Sequence, residues 1–321
     1  MNWAFLIGFW SEYKDSNLGP PGPKPGALPD CATLRRGHIL TAPSRHSGSA
    51  TRIISPLPVL THVVPSDKVR RMQQNSLHLP WLEPGEPFPS LAKAWGPQSQ
   101  APGLLAAGGQ LDVMTLRDAY SHGIFPWFSD GQPILWWSPD PRMVLQVANF
   151  SLHRSLRKTL QAFRSSSACE IRFDSAFREV IQNCAASPRA GQGGTWIVPD
   201  MVEAYVGLHR AGDAHSIETW VDGQLVGGLY CVSLGKVVFG ESMFTRIPDA
   251  SKVALSALVS FCRHHHISAI DCQQNTRHLA SLGAHEIARN DFVNVIARAS
   301  MEAAPNWQFD PLYWCELLPK T

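Results

Sequence analysis

The sequence sets a carboxylate and an amide side chain at the end of a short apolar run. Asp271 lies near the end of Ile267–Cys272, a run that predicts a strand, and Gln273 follows it directly. Open sheets place ligand sites at such strand ends. A carboxylate there can hold an amide, which in turn positions a nucleophilic amine and helps to manage its proton. The same residues are equally typical of a polar turn in which Asn275 or Thr276 caps the next helix, so both interpretations stay open.

A second carboxylate, Glu241, ends the preceding predicted strand. Met243 and Phe244 follow it closely, so we expect the carboxylate to be partly buried. A buried carboxylate needs a partner. That partner is either a basic group of a substrate or an internal cation of the protein, and the sequence alone does not choose between them.

Three tryptophans, Trp127, Trp136 and Trp137, lie in a stretch that is broken by Pro and Gly. Nucleic-acid bases stack on such rings, with a gain of ~1–3 kcal/mol per base. The alternative is that these rings form the core of a small domain.

A basic face is predicted on one helix. Arg154, Arg157 and Lys158 recur at helical spacing and therefore share a face. With Arg142 and Arg164 they make a candidate phosphate-binding patch, and a plain solvated face is the alternative. The formal net charge of the chain is only +2, so any contact with RNA has to come from a local patch of this kind.

The histidines and cysteines do not predict a metal or redox site. His264, His265 and His266 are adjacent on a predicted helix, so their side chains point in different directions and chelate one ion poorly. Cys272 has no assigned base, and we expect a core thiol rather than a nucleophile. The 7 cysteines include no CxxC pair, which favours a reduced, cytoplasmic protein.

Periodicity and turn residues predict an α+β protein. The predicted elements are, in order, helices Asp112–His122, Ser151–Arg164, Ser175–Ala186 and Pro199–Ala211, strands His215–Val221, Gln224–Val232 and Lys236–Phe244, helix Ala250–His264, strand Ile267–Cys272, and helices Thr276–Leu282 and Asp291–Glu302. Three antiparallel strands, a long helix, a strand and a helix match the core of the acetyltransferase-like (GNAT-type) fold, whose splayed sheet holds an acyl donor. We therefore predict a small N-terminal domain at 72–150, followed by an acetyltransferase-like catalytic domain with a mostly antiparallel sheet at 151–321.

The stretch before the long helix bears on the acyl donor. Acetyltransferases of this fold hold the pyrophosphate of coenzyme A with a Gly-rich turn at that point. The corresponding residues 243–252 contain no glycine, so the backbone cannot easily wrap a pyrophosphate. We expect a different donor.

The first 71 residues differ from the rest. Residues 11–71 are rich in Pro, Gly, Ser and Arg, so we predict that residues 1–71 are a disordered extension; one hypothesis is that translation starts at Met72. The N-terminus lacks the basic segment and cleavage site of a secretory signal. No apolar run approaches the roughly 20 residues that span a bilayer.

Several segments together resemble the leucyl/phenylalanyl-tRNA–protein transferase family of bacteria. They occur in the family's order over about residues 86–300, and the Trp-rich run among them is long and unusual. The segments are Gly103–Gly109, Gly123–Phe128, Ile134–Arg142, Gly194–Ile197, Ala214–Glu218, Gly240–Phe244, Ala250–Lys252 and Ile270–Gln273.

The resemblance implies an activity and its partners. The family transfers Leu or Phe, and less well Met, from aminoacyl-tRNA to proteins with N-terminal Arg or Lys, which marks them for degradation. It implies that Asp271 and Gln273 serve the attack of the acceptor α-amine on the tRNA ester. It also implies that Glu241 lies near the acceptor's basic side chain and that Trp127 stacks against the terminal adenosine. Because the ester is already activated, no cofactor or metal is expected.

Further positions follow from the same resemblance. Met243, Leu255 and Ile270 match positions that line the pocket for the donor side chain, whereas Leu258 stands where some relatives carry an aromatic residue. Asn275 is assigned to the substrate-binding residues, and a monomer is expected. The candidate tRNA-binding residues are Arg142, Arg154, Arg157 and Lys158.

Two other functions stay open. The acceptor is a different amine in the first, for instance that of a cell-wall peptide, but such transferases usually carry two domains of this type and the chain is too short for two. In the second, the protein binds tRNA without catalysis. That interpretation keeps the basic helix and the Trp cluster but gives no reason for Glu241, Asp271 and Gln273 together.

Overall fold

The computed structural model describes residues 79–187 and 197–318. The predictions for residues 1–71, for the start of the small domain at 72–78 and for residues 194–196 lie outside the described residues.

The described residues contain 11 strands and 7 α-helices. The strands are β1 (Trp81–Leu82), β2 (Leu104–Gly108), β3 (Phe125–Pro126), β4 (Leu135–Trp137), β5 (Arg142–Gln146), β6 (Cys169–Phe173), β7 (Ala214–Val221), β8 (Gln224–Leu234), β9 (Val237–Thr245), β10 (Ala269–Asp271) and β11 (His285–Ile287). The α-helices are α1 (Val113–Ser121), α2 (Arg154–Ser165), α3 (Phe177–Ala186), α4 (Pro199–Arg210), α5 (Ala250–His264), α6 (Arg277–Ser281) and α7 (Arg289–Ala299). Short 3-10 helices lie at Leu91–Lys93, Val147–Asn149 and Pro311–Glu316.

The strands form two open sheets. In the larger sheet the order is β11-β5-β10-β9-β8-β7-β6, and all neighbours are antiparallel except β9 and β10. The smaller sheet has the order β1-β2-β4-β3. The long helix α5 connects β9 to β10, because parallel neighbours need a crossover connection. This topology confirms the predicted α+β class and the acetyltransferase-like sequence of three antiparallel strands, a helix and a strand.

Caps and turns fix where the predicted elements begin and end. Asp112 starts α1 by accepting a hydrogen bond from the Thr115 amide at 2.7 Å, and Gly123 follows that helix with a φ of +71°. Asp222 and Gly223 both have positive φ and join β7 to β8, as a two-residue hairpin turn requires. Local sequence therefore sets the limits of the elements that frame the site.

The core lies around α5. This helix is buried on nearly all sides, as expected for one that is apolar around most of its circumference. It packs against β7, β8 and β9 on one side and against residues 311–316 on another. In the part of the chain that the structure describes, no helix combines the length and the apolar character that are needed to span a bilayer.

Strand β5 lies in a different place from the one that we predicted. We assigned its residues to the small N-terminal domain at 72–150, but β5 pairs with β10 and β11 in the larger sheet. Its Met143–Leu145 run is buried on both faces and so lacks the alternation that marks a half-exposed strand. A boundary at residue 150 would separate β5 from its partners, and we propose that the boundary lies before this strand.

Candidate active site

An ion pair without solvent exposure lies at the centre of the site. Asp271, the last residue of β10, is 1% exposed, and Arg142, the first residue of β5, is 0% exposed. Arg142 Nε donates to Asp271 Oδ1 at 2.8 Å and Nη2 donates to Oδ2 at 2.7 Å. Such two-point pairing fixes the orientation of both groups. The antiparallel pairing of β5 with β10 brings the two residues together across 129 positions of sequence.

The prediction that Arg142 is part of a phosphate-binding patch is therefore wrong. Its guanidinium is held by Asp271, by the carbonyl of Gly123 at 3.1 Å and by the rings of Phe125 and Phe292, whose centroids lie 4.9 and 4.8 Å away. Reaching a tRNA phosphate would leave Asp271 as an unpaired buried charge, which is strongly unfavourable.

Gln273 lies between the two carboxylates. Its backbone is left-handed, with a φ of +54°, and its amide N–H donates to Asp271 Oδ1 at 3.0 Å. The side-chain nitrogen donates to the Gly240 carbonyl at 2.8 Å and to Glu241 Oε1 at 3.2 Å. Asp271 thus holds the backbone of Gln273, whereas β9 orients its side chain.

The segment also contains the helix cap that we considered as the alternative interpretation, but Asp271 and Gln273 do not form it. Thr276 caps α6, since its hydroxyl accepts a hydrogen bond from the Leu279 amide at 3.0 Å. Asp271 takes no part in that cap, and Asn275 lies exposed between the two features. Capping of α6 therefore leaves Asp271 and Gln273 for a different role.

Glu241 projects from an irregular point of β9. The register of β8 and β9 shifts between Tyr230 and Cys231, which pair with Ser242 and Gly240, so Glu241 is the extra residue of a β-bulge. A bulge redirects the side chain at that point and is common next to active sites. Glu241 is only 8% exposed.

Two tyrosines that sequence reasoning missed hold the Glu241 carboxylate. Tyr120 of α1 donates to Oε1 at 2.7 Å and Tyr205 of α4 donates to Oε2 at 3.2 Å; their hydroxyl oxygens lie 2.5 Å apart. Burial raises the pKa of both tyrosines well above the usual value, so both remain protonated donors. Their only signal in the sequence is a polar hydroxyl on the apolar face of a predicted helix.

Burial raises the pKa of Glu241 from its usual 4.5 to about 7, although the tyrosine hydrogen bonds act in the opposite direction. The nearby charge of Asp271 adds to the increase. Among the residues that the structure describes, no cationic side chain forms an ion pair with Glu241. Of the two partners considered from sequence, the internal cation is therefore not found within those ranges.

Comparison with known proteins identifies the family. A family model described as "Leucyl/phenylalanyl-tRNA protein transferase" matches residues 144–297, and one for the N-terminal domain of that protein matches residues 109–140. A leucyl/phenylalanyl-tRNA–protein transferase of Polaromonas sp. is 67% identical over 240 residues, which are 75% of this chain and 94% of that protein. One of Albidiferax ferrireducens is 64% identical over the same shares. The chain belongs to the leucyl/phenylalanyl-tRNA–protein transferase family.

The similar solved structures give no further support for the family or the function. L-PGS from Bacillus licheniformis aligns with a TM-score of 0.31 and 10% identity over 52% of each chain, so this protein spans about half of its length. A score this low carries no argument, and the acetyltransferase-like architecture rests on the sheet order itself.

The Trp-rich segment of the family divides into core and surface. Trp136 is fully buried and donates from Nε1 to the Gly108 carbonyl at 2.9 Å. Trp137 is also buried and donates to the Trp127 carbonyl at 2.7 Å. Trp127 is partly exposed, with its ring centroid 5.2 Å from that of Trp137. The core interpretation holds for Trp136 and Trp137, and Trp127 alone of the three is partly exposed.

The positions predicted to line the donor pocket lie together. Met243, Leu255 and Ile270 belong to one buried cluster, in which Leu258 also takes part. They come from β9, which carries Glu241, from β10, which carries Asp271, and from α5, which packs against β9.

Helix α2 has the basic face that the sequence predicted, and Arg142 is not part of this surface. Arg154, Arg157 and Lys158 are exposed, whereas Leu156 and Leu160 of the same helix are buried. The first turn of this helix has no acidic residue. The surface is therefore available for phosphate contacts.

The remaining polar groups have structural roles. His264 stacks on Tyr313 with centroids 4.2 Å apart, and within 79–187 and 197–318 no group of His, Cys, Asp or Glu could hold a metal ion. Burial raises the pKa of the Cys272 thiol, which argues against a nucleophile. Glu218 is also buried, but it accepts hydrogen bonds from the Ala176 amide at 2.7 Å and from Trp220 Nε1 at 3.0 Å.

The raised pKa of Glu241 makes folding stability depend on pH. The native state binds this proton more readily than the unfolded chain, so the stability associated with it is lost as pH rises from about 4.5 to about 7. Glu241→Gln lacks this titrating group. The free energy of unfolding of the variant minus that of wild type should therefore increase by about 2–3 kcal/mol from pH 5 to pH 8. Urea unfolding at both pH values measures this change.

Glu203→Gln is the control, because Glu203 is exposed and pairs with Arg178 on the surface. For Glu203→Gln, the difference from wild type in free energy of unfolding should not show the increase from pH 5 to pH 8 that we expect for Glu241→Gln. A difference between Glu241→Gln and wild type that is the same at both pH values would contradict the effect of burial on Glu241.

Proposed function

We propose that this protein transfers Leu or Phe, and less well Met, from aminoacyl-tRNA to the α-amino group of proteins that begin with Arg or Lys. The relatives are named as transferases that act between leucyl/phenylalanyl-tRNA and protein. The observation that carries the proposal is the position of the Gln273 side chain, 3.2 Å from a buried carboxylate that has tyrosines but no ion-paired cation around it among the described residues. The new N-terminal residue marks the acceptor for degradation, and the protein acts as a cytoplasmic monomer.

Glu241 recognises the basic side chain of the acceptor. A carboxylate that is nearly excluded from water gains most from a partner of opposite charge, and hydrogen bonds between charged groups are the strong ones. Tyr120 and Tyr205 hold the two carboxylate oxygens in place. An incoming guanidinium or ammonium group supplies the cation that the described part of the protein does not.

Asp271 orients Gln273 rather than taking a proton. Oδ1 already accepts from Arg142 and from the Gln273 amide, and Oδ2 accepts from Arg142. The nitrogen of the Gln273 side chain is used by Gly240 and Glu241. This leaves the side-chain oxygen of Gln273 as the atom that accepts a hydrogen bond from the acceptor α-amine.

The reaction needs alignment more than activation. The neutral amine attacks the ester carbonyl, the new C–N bond replaces the C–O bond to the ribose, and the amine proton ends on the released ribose hydroxyl. Holding amine and ester in a near-attack arrangement supplies several kcal/mol. The ester is already reactive, so the described side chains bind and orient without a cofactor.

Different parts of the protein bind the terminal base of the donor tRNA, its aminoacyl side chain and its phosphate backbone. The partly exposed ring of Trp127 stacks on the terminal adenosine. The cluster of Met243, Leu255 and Ile270 takes the aminoacyl side chain and distinguishes related apolar residues by only ~1–3 kcal/mol per methylene. The basic face of α2 holds tRNA phosphates with little reading of sequence.

The direct test incubates the protein with labelled Leu-tRNA and a peptide that begins with Arg. We expect label on this peptide and far less on a peptide that begins with Ala. Gln273→Ala should lower kcat about 100-fold, because it removes the group that positions the amine, whereas Gln274→Ala, which changes the neighbouring glutamine, should not.

Equal labelling of both peptides would reject the role of Glu241. Binding of tRNA without any transfer would favour the non-catalytic function. Transfer to a different amine but not to the Arg peptide would favour the other acceptor class.

A second prediction separates the two ways in which the donor is held. Changing Arg154, Arg157 and Lys158 together to Ala should raise the KM for aminoacyl-tRNA and reduce its salt dependence by about one unit of log–log slope for each phosphate that is no longer neutralised. The same variant should use a short aminoacyl-adenosine donor as wild type does, because that donor has no tRNA body. Trp127→Ala should raise the KM for both donors, and an unchanged KM for the short donor would contradict stacking on Trp127.

A further inference from the structure

The proposed chemistry leaves one buried charge of the site without a direct role. Arg142 is 0% exposed, touches solvent nowhere and has no free face for a substrate. Its guanidinium is engaged at several points: Nε and Nη2 with Asp271, Nη1 with the Gly123 carbonyl, and Cζ over the rings of Phe125 and Phe292.

These contacts belong to the two halves of the site. Asp271 holds the backbone of Gln273, where the acceptor amine is positioned. Gly123 and Phe125 lie on the segment that leads directly to Trp127, where the donor adenosine stacks. One guanidinium therefore touches the donor segment at 3.1 Å and the amine segment at 2.7 and 2.8 Å.

A buried ion pair is weak evidence for a role in folding stability. Replacing a buried ion pair by apolar residues of similar volume is often neutral or stabilising, because desolvation of the charges offsets their attraction. Arginine does offer a rigid planar fork and two flat faces. Its distinctive contribution is therefore geometric.

We propose that Arg142 is a positioning residue that sets the distance between the donor site at Trp127 and the amine site at Asp271 and Gln273. This inference rests on the proposed function. A misplacement of about 1 Å between reacting groups lowers the rate on the order of 100-fold even where each substrate still binds. Loss of the Arg142 geometry should therefore lower kcat and leave both KM values nearly unchanged.

Arg142→Lys is the first test, because it keeps the charge but loses the fork and the flat faces. We expect kcat to fall about 10- to 100-fold, with the KM for each substrate within about threefold of wild type. Arg289→Lys is the matched control. Arg289 lies near Arg142 and donates to the Ser138 carbonyl at 2.7 Å, but it contacts neither Asp271 nor Gly123 in the described structure. Its replacement should change kcat by less than about threefold.

A second pair of variants covers the case in which Arg142→Lys does not fold. Phe292→Leu removes one ring from the guanidinium and keeps the charge, whereas Phe261→Leu removes a buried ring that contacts Phe173 and Trp307 instead. Thermal unfolding of both shows whether their stabilities match. We expect kcat to fall about 3- to 10-fold for Phe292→Leu alone.

The outcomes are distinct. A loss of kcat in Arg142→Lys no greater than in Arg289→Lys, a change confined to KM, or equal losses in the two Phe variants would overturn the role of Arg142. Absence of transfer by the wild-type protein would instead reject the proposed function, since every comparison uses the same transfer assay.

Discussion

The buried pair of Arg142 and Asp271 is the constraint on which the site depends. A charge without access to water must be paired and hydrogen-bonded, so the side chain of Arg142, the first residue of β5, has to reach that of Asp271, the last residue of the neighbouring strand β10. Asp271 then accepts the amide of Gln273 and holds that residue in a left-handed conformation. The side chain of Gln273 consequently points at the bulge of β9 and reaches Glu241.

Glu241 presents the opposite case, a buried carboxylate without an ion-paired cation among the described residues. Tyr120 and Tyr205 satisfy its hydrogen bonds but not its charge, and burial raises its pKa to about 7. Ionisation of this group at neutral pH therefore opposes folding, by about 3 kcal/mol for the shift from 4.5. In the function that we propose, a basic acceptor relieves that penalty on binding. This contrast among the described residues supports the separate roles that we propose, in which Asp271 is fixed in place and Glu241 binds a substrate.

The sequence predicted most elements of the fold, because caps, Pro and Gly positions and apolar periodicity are local signals. It also led to Asp271 and Gln273 through the end of a strand. It failed for Arg142, which we assigned to a phosphate-binding patch, because burial by a partner 129 positions away has no local signature. Tyr120 and Tyr205 were missed for a similar reason: they lie on the buried faces of helices that only the tertiary structure brings to Glu241.

Recognition of a charged acceptor by Glu241 is the central claim, and a neutral isostere of arginine tests it most directly. Transfer rates are compared for peptides that begin with Arg and with citrulline, which has nearly the same shape without the charge. Wild type should prefer Arg about 10- to 100-fold in kcat/KM, the range expected for a hydrogen bond between charged groups, and Glu241→Gln should abolish the preference. Equal transfer to both peptides by the wild-type protein would contradict the account.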